Sequence, residues 1–355
     1  MPSRRVALVG PAQQENLALE YLAASAESRG HRAELVRYDT RLDLDSSIQS
    51  ILKLDPHLVG FGIAFQYAID DYLELARSLR HRGYSGHITC GGHVPTFCFE
   101  EVLSEAPEID TVVRHEGEET LVELLTMLGR GKKPRQIAGL VWREAGEVVV
   151  GPTRPLITDL DELPLPRRRS EPLVVGGVPL AFMITSRGCI GECAYCSIRA
   201  FGREFGGPRF RMRDTDAVAD EIAALYHDSG IRVILVQDDL FILPDEKKTV
   251  ERLRGITRAI RKRGVDEMLF WIKGRPEAIT TSVVEAAKEM GTIHLFLGVE
   301  NASLDRLKYL GRFHTPDDNA RAISLCLDSG IRPSFNFMLF DPDCTLADIA
   351  LTLDF

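Results

Sequence analysis

Three cysteines stand close together in the second half of the chain, at Cys189, Cys193 and Cys196. They follow an apolar run at residues 181–185 that the pattern predicts to be a strand. Spacings of four and three residues let the thiolates converge from one loop, and three ligands leave one iron of a [4Fe–4S] cluster without a protein ligand. An open iron can bind a substrate, so the spacing predicts a catalytic iron–sulfur site.

A structural zinc ion is the alternative for these thiols. Zinc sites usually recruit a fourth Cys or His with paired spacing, but the sequence has no second Cys-x-x-Cys pair, and the nearest downstream histidine, His227, falls in a predicted helix. The chain has seven cysteines, an odd number that suits a metal site in a reducing compartment better than a set of disulfides. We therefore favour the cluster and predict that the other cysteines are bystanders: Cys90, Cys98, Cys326 and Cys344.

The elements that must position the cysteine loop alternate between strand and helix. The apolar pattern predicts strands at residues 181–185, 233–236, 269–273, 294–297 and 334–339. Helices are predicted between them, at residues 215–227, 247–263, 281–290 and 317–328. Units of this spacing build either an open sheet or a (β/α) barrel. A barrel would be incomplete, because the sequence ends within the next predicted helix.

A similar alternation occupies the first half of the chain. Strands are predicted at residues 6–9, 33–36, 58–63, 88–90 and 111–113, with a helix at 16–29. This pattern favours a doubly wound, flavodoxin-like parallel sheet. The next segment is rich in proline and contains the run Arg167, Arg168 and Arg169, so we predict an extended linker there. The predicted organisation is one α/β domain at residues 1–150, a linker at 151–180 and a second α/β domain at 181–355.

The bulk composition excludes several classes of protein. Lys plus Arg total 43 against 52 for Asp plus Glu, a net charge of −9 that gives no electrostatic basis for binding nucleic acid. No apolar run approaches the ~20 residues of a membrane-spanning helix, and the N-terminus has no signal-peptide pattern. We predict a cytoplasmic protein with neither a nucleic-acid partner nor a membrane partner.

The cysteine motif resembles that of the radical S-adenosylmethionine (SAM) superfamily, in which an aromatic residue, here Tyr195, precedes the last cysteine. The resemblance implies that SAM binds the open iron. An electron from an external flavodoxin-type or ferredoxin-type reductant would then cleave SAM to a 5′-deoxyadenosyl radical. It also implies a partial TIM-type barrel without the sixth strand and C-terminal region usual in this superfamily, so the chain is expected to be a fragment or a shortened member.

Residues after the later strands also resemble parts of the SAM site in this superfamily. The resemblance implies contacts with SAM at Tyr195, Asp238, Asp239, Lys273, Arg275, Glu300 and Asn336. The tyrosine would lie against the adenine, one aspartate would accept from the methionine ammonium, and the basic residues would pair with the methionine carboxylate. The glutamate would reach the ribose or the methionine moiety, and the asparagine is a weaker match. Structural alternatives are a helix cap for the aspartates, surface charge for the basic residues and an ion pair for the glutamate.

The first half resembles the cobalamin-binding domain that precedes the radical domain in one branch of the superfamily. The matching segments imply cobalamin contacts at Asn16, Ala64, Phe65, Gln66, Tyr67, Gly91, Gly92, His93, Glu116 and Gly117. Glycine lets the backbone approach a corrin ring or its nucleotide tail closely. The Asp-x-His-x-x-Gly motif that supplies an axial histidine in many corrinoid proteins is absent, so the loop at 64–67 is expected to face the cobalt. A tail or loop role is favoured for the histidine at position 93, and a domain that binds no cobalamin is the alternative.

Together the two resemblances imply a radical C-methyltransferase. The radical would abstract hydrogen from an unactivated carbon of a small-molecule or natural-product intermediate, and cobalamin would deliver the methyl group. A cobalamin-dependent radical cyclisation or rearrangement is one alternative, and a corrinoid-binding protein without radical activity is another. The substrate, the modified carbon, the residue beneath cobalt and the oligomeric state do not follow from the sequence.

Overall fold

Apolar strand patterns alternate with amphipathic helices along the chain, and this alternation governs the fold of the computed structural model. The structure describes residues 3–203 and 207–355. They form two units, the first mainly from residues before 159 together with 162–170, and the second from 159–161 and most of the chain from 171 onward. Each unit has its own sheet and its own apolar core.

Seven strands form the sheet of the first unit. They are β1 (Arg5–Gly10), β2 (Arg32–Arg37), β3 (Leu58–Gly62), β4 (His87–Gly91), β5 (Thr111–Val113), β6 (Leu140–Glu144) and β7 (Glu147–Val150). The first five are parallel in the order β2-β1-β3-β4-β5, and β6 and β7 continue the sheet as an antiparallel hairpin. This parallel order confirms the predicted flavodoxin-like fold.

Helices pack on both faces of this sheet. They are α1 (Leu17–Ser28), α2 (Leu44–Leu54), α3 (Ile69–His81), α4 (His93–Phe97), α5 (Phe99–Glu105) and α6 (Glu118–Gly129). Side chains of β1 alternate between two cores. Val6 and Leu8 pack with α1 and α6, whereas Ala7 and Val9 pack with α2 and α3. Burial on both faces explains why the parallel strands are continuous apolar runs in the sequence.

The hairpin of β6 and β7 was missed by the sequence prediction. Its turn contains Ala145 and Gly146, both at positive φ. The sequence does carry the signal for it, because a glycine-containing turn between two valine-containing runs is typical of a hairpin.

The second unit has an open sheet and a short separate ladder. Its strands are β8 (Leu173–Val175), β9 (Val178–Met183), β10 (Ser186–Gly188), β11 (Phe210–Met212), β12 (Val233–Val236), β13 (Leu269–Gly274), β14 (Thr292–Glu300) and β15 (Arg332–Phe337). The main sheet has the order β15-β14-β13-β12-β9-β8, and β10 pairs with β11. All neighbours in the main sheet are parallel except β8 and β9. This arrangement is a half-barrel and confirms the predicted partial barrel.

Helices cover the strands of the half-barrel. They are α7 (Ser197–Arg203), α8 (Thr215–Asp228), α9 (Glu246–Lys262), α10 (Thr281–Met290), α11 (Leu304–Tyr309), α12 (Pro316–Asp328) and α13 (Leu346–Asp354). Apolar residues of α8, α9, α10 and α12 share one core with the strands. Since the strands are parallel, the loops that follow them gather at one end of the sheet. Among the described residues, no helix has the length and apolar character needed to cross a bilayer.

The predicted linker at residues 151–180 is wrong in its second half. Gly176 and Gly177, both at positive φ, form the turn between β8 and β9. Two such positions in succession are what a tight hairpin turn requires. Residues 162–170 instead belong to the first unit, where Arg167 donates to Glu27 and to the Ala33 carbonyl.

Candidate active site

The loop that carries the three cysteines is fixed by two glycines. At its start Gly188 has φ of 82°, and a Cβ there would lie 1.9 Å from the Arg209 carbonyl oxygen across the ladder of β10 and β11. On its other side, a Cβ on Gly311 would lie 2.8 Å from the Glu192 carbonyl oxygen. Larger residues at either position would displace the loop.

Backbone N–H groups serve two of the three predicted ligand cysteines. Cys189 Sγ accepts from the Gly191 N–H at 3.3 Å, and Cys196 Sγ accepts from the N–H of Ile198. Burial raises the pKa of both thiols, and the backbone donors oppose that rise because they stabilise the charged form. The thiolate is the form of cysteine that binds metal, so these donors suit the predicted role.

The third cysteine lies beside an arginine that the sequence did not single out. Arg312 donates from Nη1 to Cys193 Sγ at 3.4 Å and from Nη2 to the Gly298 carbonyl oxygen at 2.6 Å. Its Nη1 also lies 3.8 Å from Glu300 Oε1. Burial alone would lower the pKa of Arg312, but Tyr195, Cys193 and Glu300 around it raise that pKa. The guanidinium is therefore a fixed positive charge at this thiol.

The surroundings of the thiols fit an iron–sulfur cluster. A Cβ on Gly191 would lie 3.3 Å from Cys189 Sγ and 3.8 Å from Cys193 Sγ. A side chain at this position would therefore take up space beside these two sulfurs. N–H donors to the sulfurs are typical of protein-bound clusters.

The two aspartates after β12 have different surroundings. Asp238 accepts from the Thr185 N–H, the Thr185 hydroxyl and the Ser186 hydroxyl, each at 2.6 Å, and its side chain is 0% exposed. Asp239 is exposed and accepts from the Gly188 N–H at 3.2 Å. The geometry does not support the predicted SAM-binding role of Asp238. The Asp238 carboxylate links the start of the cysteine loop to the end of β12, and it is not accessible to a ligand. Asp239 keeps that predicted role.

Lys273 lies near the carboxyl end of β13, close to the Asp239 carboxylate. Its Nζ donates to Gln237 Oε1 at 3.0 Å. Burial lowers the pKa of Lys273, and the negative charge of Asp239 opposes that effect. A cation and a carboxylate therefore stand together at the carboxyl ends of β12 and β13.

Arg275 reaches the cysteine loop from the same strand. Its Nη1 lies 2.9 Å from where a Gly191 Cβ would be, and its Nε donates to Glu277 Oε1 at 2.7 Å. Glu277 Oε2 lies 3.3 Å from Nδ1 of the buried His314. Burial alone would raise the pKa of Glu277, but His314 and Arg275 lower it to about 2. Glu277 is thus a carboxylate that holds Arg275 toward the loop.

Tyr195 and Glu300 are brought together, and Asn336 lies on the neighbouring strand, one residue before Phe337, which pairs with Glu300. Glu300 ends β14 with φ of 64°, a left-handed conformation that is uncommon outside glycine. Tyr195 is 41% exposed; burial of its ring and a hydrogen bond with Glu300 both raise its pKa. Asn336 has an exposed side chain on β15, the last strand of the sheet order.

In the first unit, an exposed aromatic loop follows β3. Phe65 is 61% exposed and Tyr67 is 84% exposed, and their rings stack at a centroid distance of 5.6 Å with 9° between planes. Ala64 and Gln66 are exposed beside them. The strand order reverses between β1 and β3, and doubly wound sheets bind their ligands at such a point. The rings provide an apolar platform there.

Glycines shape the loop after β4. Gly92 has φ of 109°, and a Cβ there would lie 2.5 Å from the Ile63 carbonyl oxygen, so this position requires glycine. A Cβ on Gly91 would lie 3.1 Å from the Val113 carbonyl oxygen. His93 begins α4, and burial lowers its pKa.

The remaining predicted cobalamin residues also have roles in the fold. Asn16 caps α1 by accepting from the Leu19 N–H at 3.3 Å. Glu116 Oε2 accepts from the Ile157 N–H at 2.7 Å. Gly117 precedes α6. Asn16 follows β1, and Glu116 and Gly117 follow β5, so these residues lie beyond the carboxyl ends of parallel strands, and their contacts with cobalamin stay a prediction.

Sequence reasoning missed four residues of the cysteine site: Glu192, Glu277, Arg312 and His314. Glu192, inside the motif, forms ion pairs with Arg199, Arg203 and Arg209. Glu277 follows a strand like the residues that were predicted, so its position was a usable signal. The arginine and the histidine follow a short helix and belong to no motif, and only the fold brings them to the loop.

Comparison with known proteins identifies both halves of the chain. Residues 5–125 match the B12 binding domain, and residues 183–355 match the Radical SAM superfamily. An uncharacterized methyltransferase of Pyrococcus horikoshii is 31% identical over 343 residues, which cover 96% of this chain and 72% of that protein. The chain belongs to the cobalamin-dependent radical SAM family. The predicted family is confirmed, and so are its cofactors: a [4Fe–4S] cluster, SAM and cobalamin.

This cobalamin-dependent radical SAM chain is also similar to a cyclase in sequence and to a methyltransferase in fold. An anaerobic magnesium-protoporphyrin IX monomethyl ester cyclase of Cereibacter sphaeroides is 30% identical over 270 residues, which cover 70% of the chain and 41% of the cyclase. The radical SAM methyltransferase TsrM of Kitasatospora setae, solved with cobalamin and a [4Fe–4S] cluster, has the same fold, with a TM-score of 0.78 at 20% identity. That match covers 99% of this chain and 70% of TsrM. The chain spans 41% to 72% of the lengths of these proteins.

Proposed function

We propose that the protein methylates an unactivated carbon of a small-molecule substrate, as a cobalamin-dependent radical SAM C-methyltransferase. The observation that carries this proposal is the cysteine loop, where three thiols lie at the carboxyl end of a half-barrel with N–H donors on their sulfurs. The presence of a B12 binding domain in the same chain supports methyl transfer. The Pyrococcus relative, which matches nearly the whole chain, is named a methyltransferase.

The proposal assigns roles to residues of the second unit. Its iron ligands are Cys189, Cys193 and Cys196. Asp239 and Lys273 would hold the amine and the carboxylate of SAM, since their opposite charges match a zwitterion. Arg275 would add positive charge on the carboxylate side, and Tyr195 and Glu300 would contact the adenine and ribose. When bound, the cluster supplies the electron that cleaves SAM, and cobalamin supplies the methyl group.

In the first unit, Phe65 and Tyr67 would cover one face of the corrin. Their stacked, exposed rings suit a flat apolar ligand and would exclude water from that face. Gly91 and Gly92 would let the backbone approach the cofactor closely. The loop at 64–67 contains no histidine, so the proposal includes no histidine bond to cobalt from this loop.

Anaerobic reconstitution with iron and sulfide tests the cluster ligands. Wild type is expected to bind about four irons per chain and to cleave SAM when reduced. Cys193→Ala is expected to lose both properties, whereas Cys344→Ala, a half-buried free thiol outside the motif, keeps them. Full iron content with SAM cleavage in Cys193→Ala would reject the assignment.

Radical cyclisation is the second candidate, because the Cereibacter cyclase is 30% identical over 70% of the chain. Cells that express wild type or Cys193→Ala are fed methyl-deuterated methionine, and their metabolites are compared by mass spectrometry. Methyl transfer predicts a product that carries the deuterated methyl group and is missing with the variant. A wild-type-specific product without label, lighter than its precursor by hydrogen, supports cyclisation instead.

The proposal also includes an external one-electron reductant of the flavodoxin or ferredoxin type and a cytoplasmic location. To identify the class of reductant, purified flavodoxin and purified ferredoxin, each with its reductase, are compared as electron donors for SAM cleavage by the reconstituted protein.

A further inference from the structure

We propose that Arg312 sets the reduction potential of the cluster by fixing a positive charge at the Cys193 thiolate. This inference rests on the proposed ligand role of Cys193. Arg312 is 119 residues away in sequence and reaches the thiol only through the fold.

The position of Arg312 is fixed by a side-chain hydrogen bond, a backbone hydrogen bond and burial. Its Nη2 donates to the Gly298 carbonyl oxygen at 2.6 Å, and the backbone N–H of Arg312 donates to the Leu307 carbonyl oxygen at 2.8 Å. A Cβ on Gly298 would lie 2.9 Å from Nη2, so the group fills the space above this glycine. Only 7% of the arginine is exposed. The planar group therefore cannot turn away from the sulfur without losing its hydrogen bond to Gly298, and its burial leaves it little space to turn.

Arg312 differs in charge from the donors on the other two thiols. Cys189 and Cys196 accept from neutral backbone N–H groups. The nearby carboxylate, Glu300, reduces the field of the arginine, but its oxygen lies 3.8 Å from Nη1 whereas Cys193 Sγ lies 3.4 Å from it. The thiol is thus the nearer negative partner of Nη1.

A charged donor on a cluster sulfur has a predictable effect on electron uptake. Reduction adds negative charge, and hydrogen bonds to the sulfurs, net charge and solvent exposure set the potential of a cluster. The positive charge stabilises the reduced form more than the oxidised form, and little water is present at a buried guanidinium to screen it. Loss of Arg312 is therefore expected to make the cluster harder to reduce.

The competing explanation is that Arg312 only supports the end of β14 through Gly298. Three variants separate the two roles. Arg312→Gln removes the positive charge. Arg312→Lys keeps the charge but lacks the planar guanidinium that donates to two acceptors at once. Arg254→Gln is a control, because it removes an exposed arginine whose Nε lies 3.1 Å from Glu289 Oε2.

Each reconstituted full-length variant is analysed for iron content and for midpoint potential, by redox titration followed with electron paramagnetic resonance in the absence of SAM. We expect a lower potential in Arg312→Gln, a smaller lowering in Arg312→Lys and no change in Arg254→Gln. A wild-type potential in a fully loaded Arg312→Gln protein overturns the inference. If that variant binds no iron, the smaller neutral variant Arg312→Ala is titrated in its place, and a wild-type potential in it overturns the inference.

The same measurements distinguish failure of the proposed function from failure of this inference. Wild type that binds no cluster, or Cys193→Ala that keeps a full one, removes the ligand assignment itself. A wild-type cluster whose potential does not respond to Arg312 leaves the ligand assignment intact and rejects only the role of the arginine.

Discussion

Asp238 and Asp239 are adjacent in sequence, but one carboxylate faces the protein and the other faces outward. The buried one accepts three hydrogen bonds from Thr185 and Ser186, at the start of the cysteine loop. The exposed one stands near Lys273. Their substitution should therefore affect different properties, stability in one case and binding of SAM in the other.

Asp238→Asn is expected to lower the free energy of unfolding by about 2 kcal/mol, because an amide cannot accept all the bonds that the buried carboxylate accepts. Asp239→Asn is expected to change stability by less than ~0.5 kcal/mol and to weaken SAM binding by tenfold or more, since a charge-assisted hydrogen bond is lost. Urea denaturation and isothermal titration with SAM measure the two effects. Equal stability loss in both variants would contradict this division.

Glu20 predicts a pH-dependent stability of the first unit. Its side chain is buried in α1, and Oε2 has no hydrogen-bond partner among the described residues. Burial, together with the charge of Glu15, raises the pKa of Glu20 to about 7, and Arg168 and Arg169 only partly oppose this. The folded state holds the proton more tightly than the unfolded state, so stability is highest at acid pH and falls as pH rises towards 7.

Glu20→Gln mimics the protonated side chain and removes this dependence. We expect it to stabilise the first unit by roughly 2–3 kcal/mol at pH 8 and by less than about 1 kcal/mol at pH 5. Trp142 lies in the first unit and Trp271 in the second, so urea denaturation in a Trp271→Phe background reports on the first unit by fluorescence. The same gain at both pH values would show that Glu20 does not titrate as described.

At the scale of elements, the short ladder of β10 and β11 decides whether the cysteine loop forms. Gly188→Ala would place a Cβ 1.9 Å from a backbone oxygen, at a φ that alanine disfavours. We expect this variant to bind far less iron on reconstitution. Gly255→Ala in α9 is the matched control, because its Cβ meets only Thr215 at 3.6 Å; it should keep its iron and gain roughly 0.5–1 kcal/mol of helix stability. Full iron content in Gly188→Ala would exclude this role of the ladder.

The sequence predicts the strands of the two parallel sheets, and it misses the strands that pair only antiparallel. Strands β1, β3, β4 and β12 were located to within one or two residues, because apolar runs mark them without reference to the rest of the chain. The ladder of β10 and β11 depends on pairing Gly188 with Phe210, and no local pattern encodes that pairing. The same holds for the site. The cysteines are a local motif, whereas the burial of Asp238 depends on Thr185, 53 residues away, and the position of Arg312 depends on the whole half-barrel.

At the scale of the whole molecule, each unit builds its predicted cofactor site from its own residues. The cysteine site uses residues of the second unit, and the aromatic loop belongs to the first. Because no residue is shared between the two predicted sites, substitutions in one are expected to leave loading of the other intact.

The double variant Phe65→Ala with Tyr67→Ala is expected to bind cobalamin at least tenfold more weakly and to keep a full complement of iron. Cys193→Ala is expected to show the reverse. Both rings are largely exposed, so their loss should cost little stability. Cobalamin absorbance and iron analysis on the same samples measure both contents, and a Cys193→Ala protein without cobalamin would show that loading is coupled.

Open sheets can recruit strands from other molecules along their unpaired sides. In the second sheet one such side is β8, which is only three residues long. The other is β15, where Pro333 has no N–H to share. β8 thus offers an incoming strand few hydrogen bonds, and Pro333 removes one possible donor from β15, which should limit pairing with other molecules through this sheet. A version trimmed to residues 181–355 would lose β8 and half of β9 and is expected to precipitate.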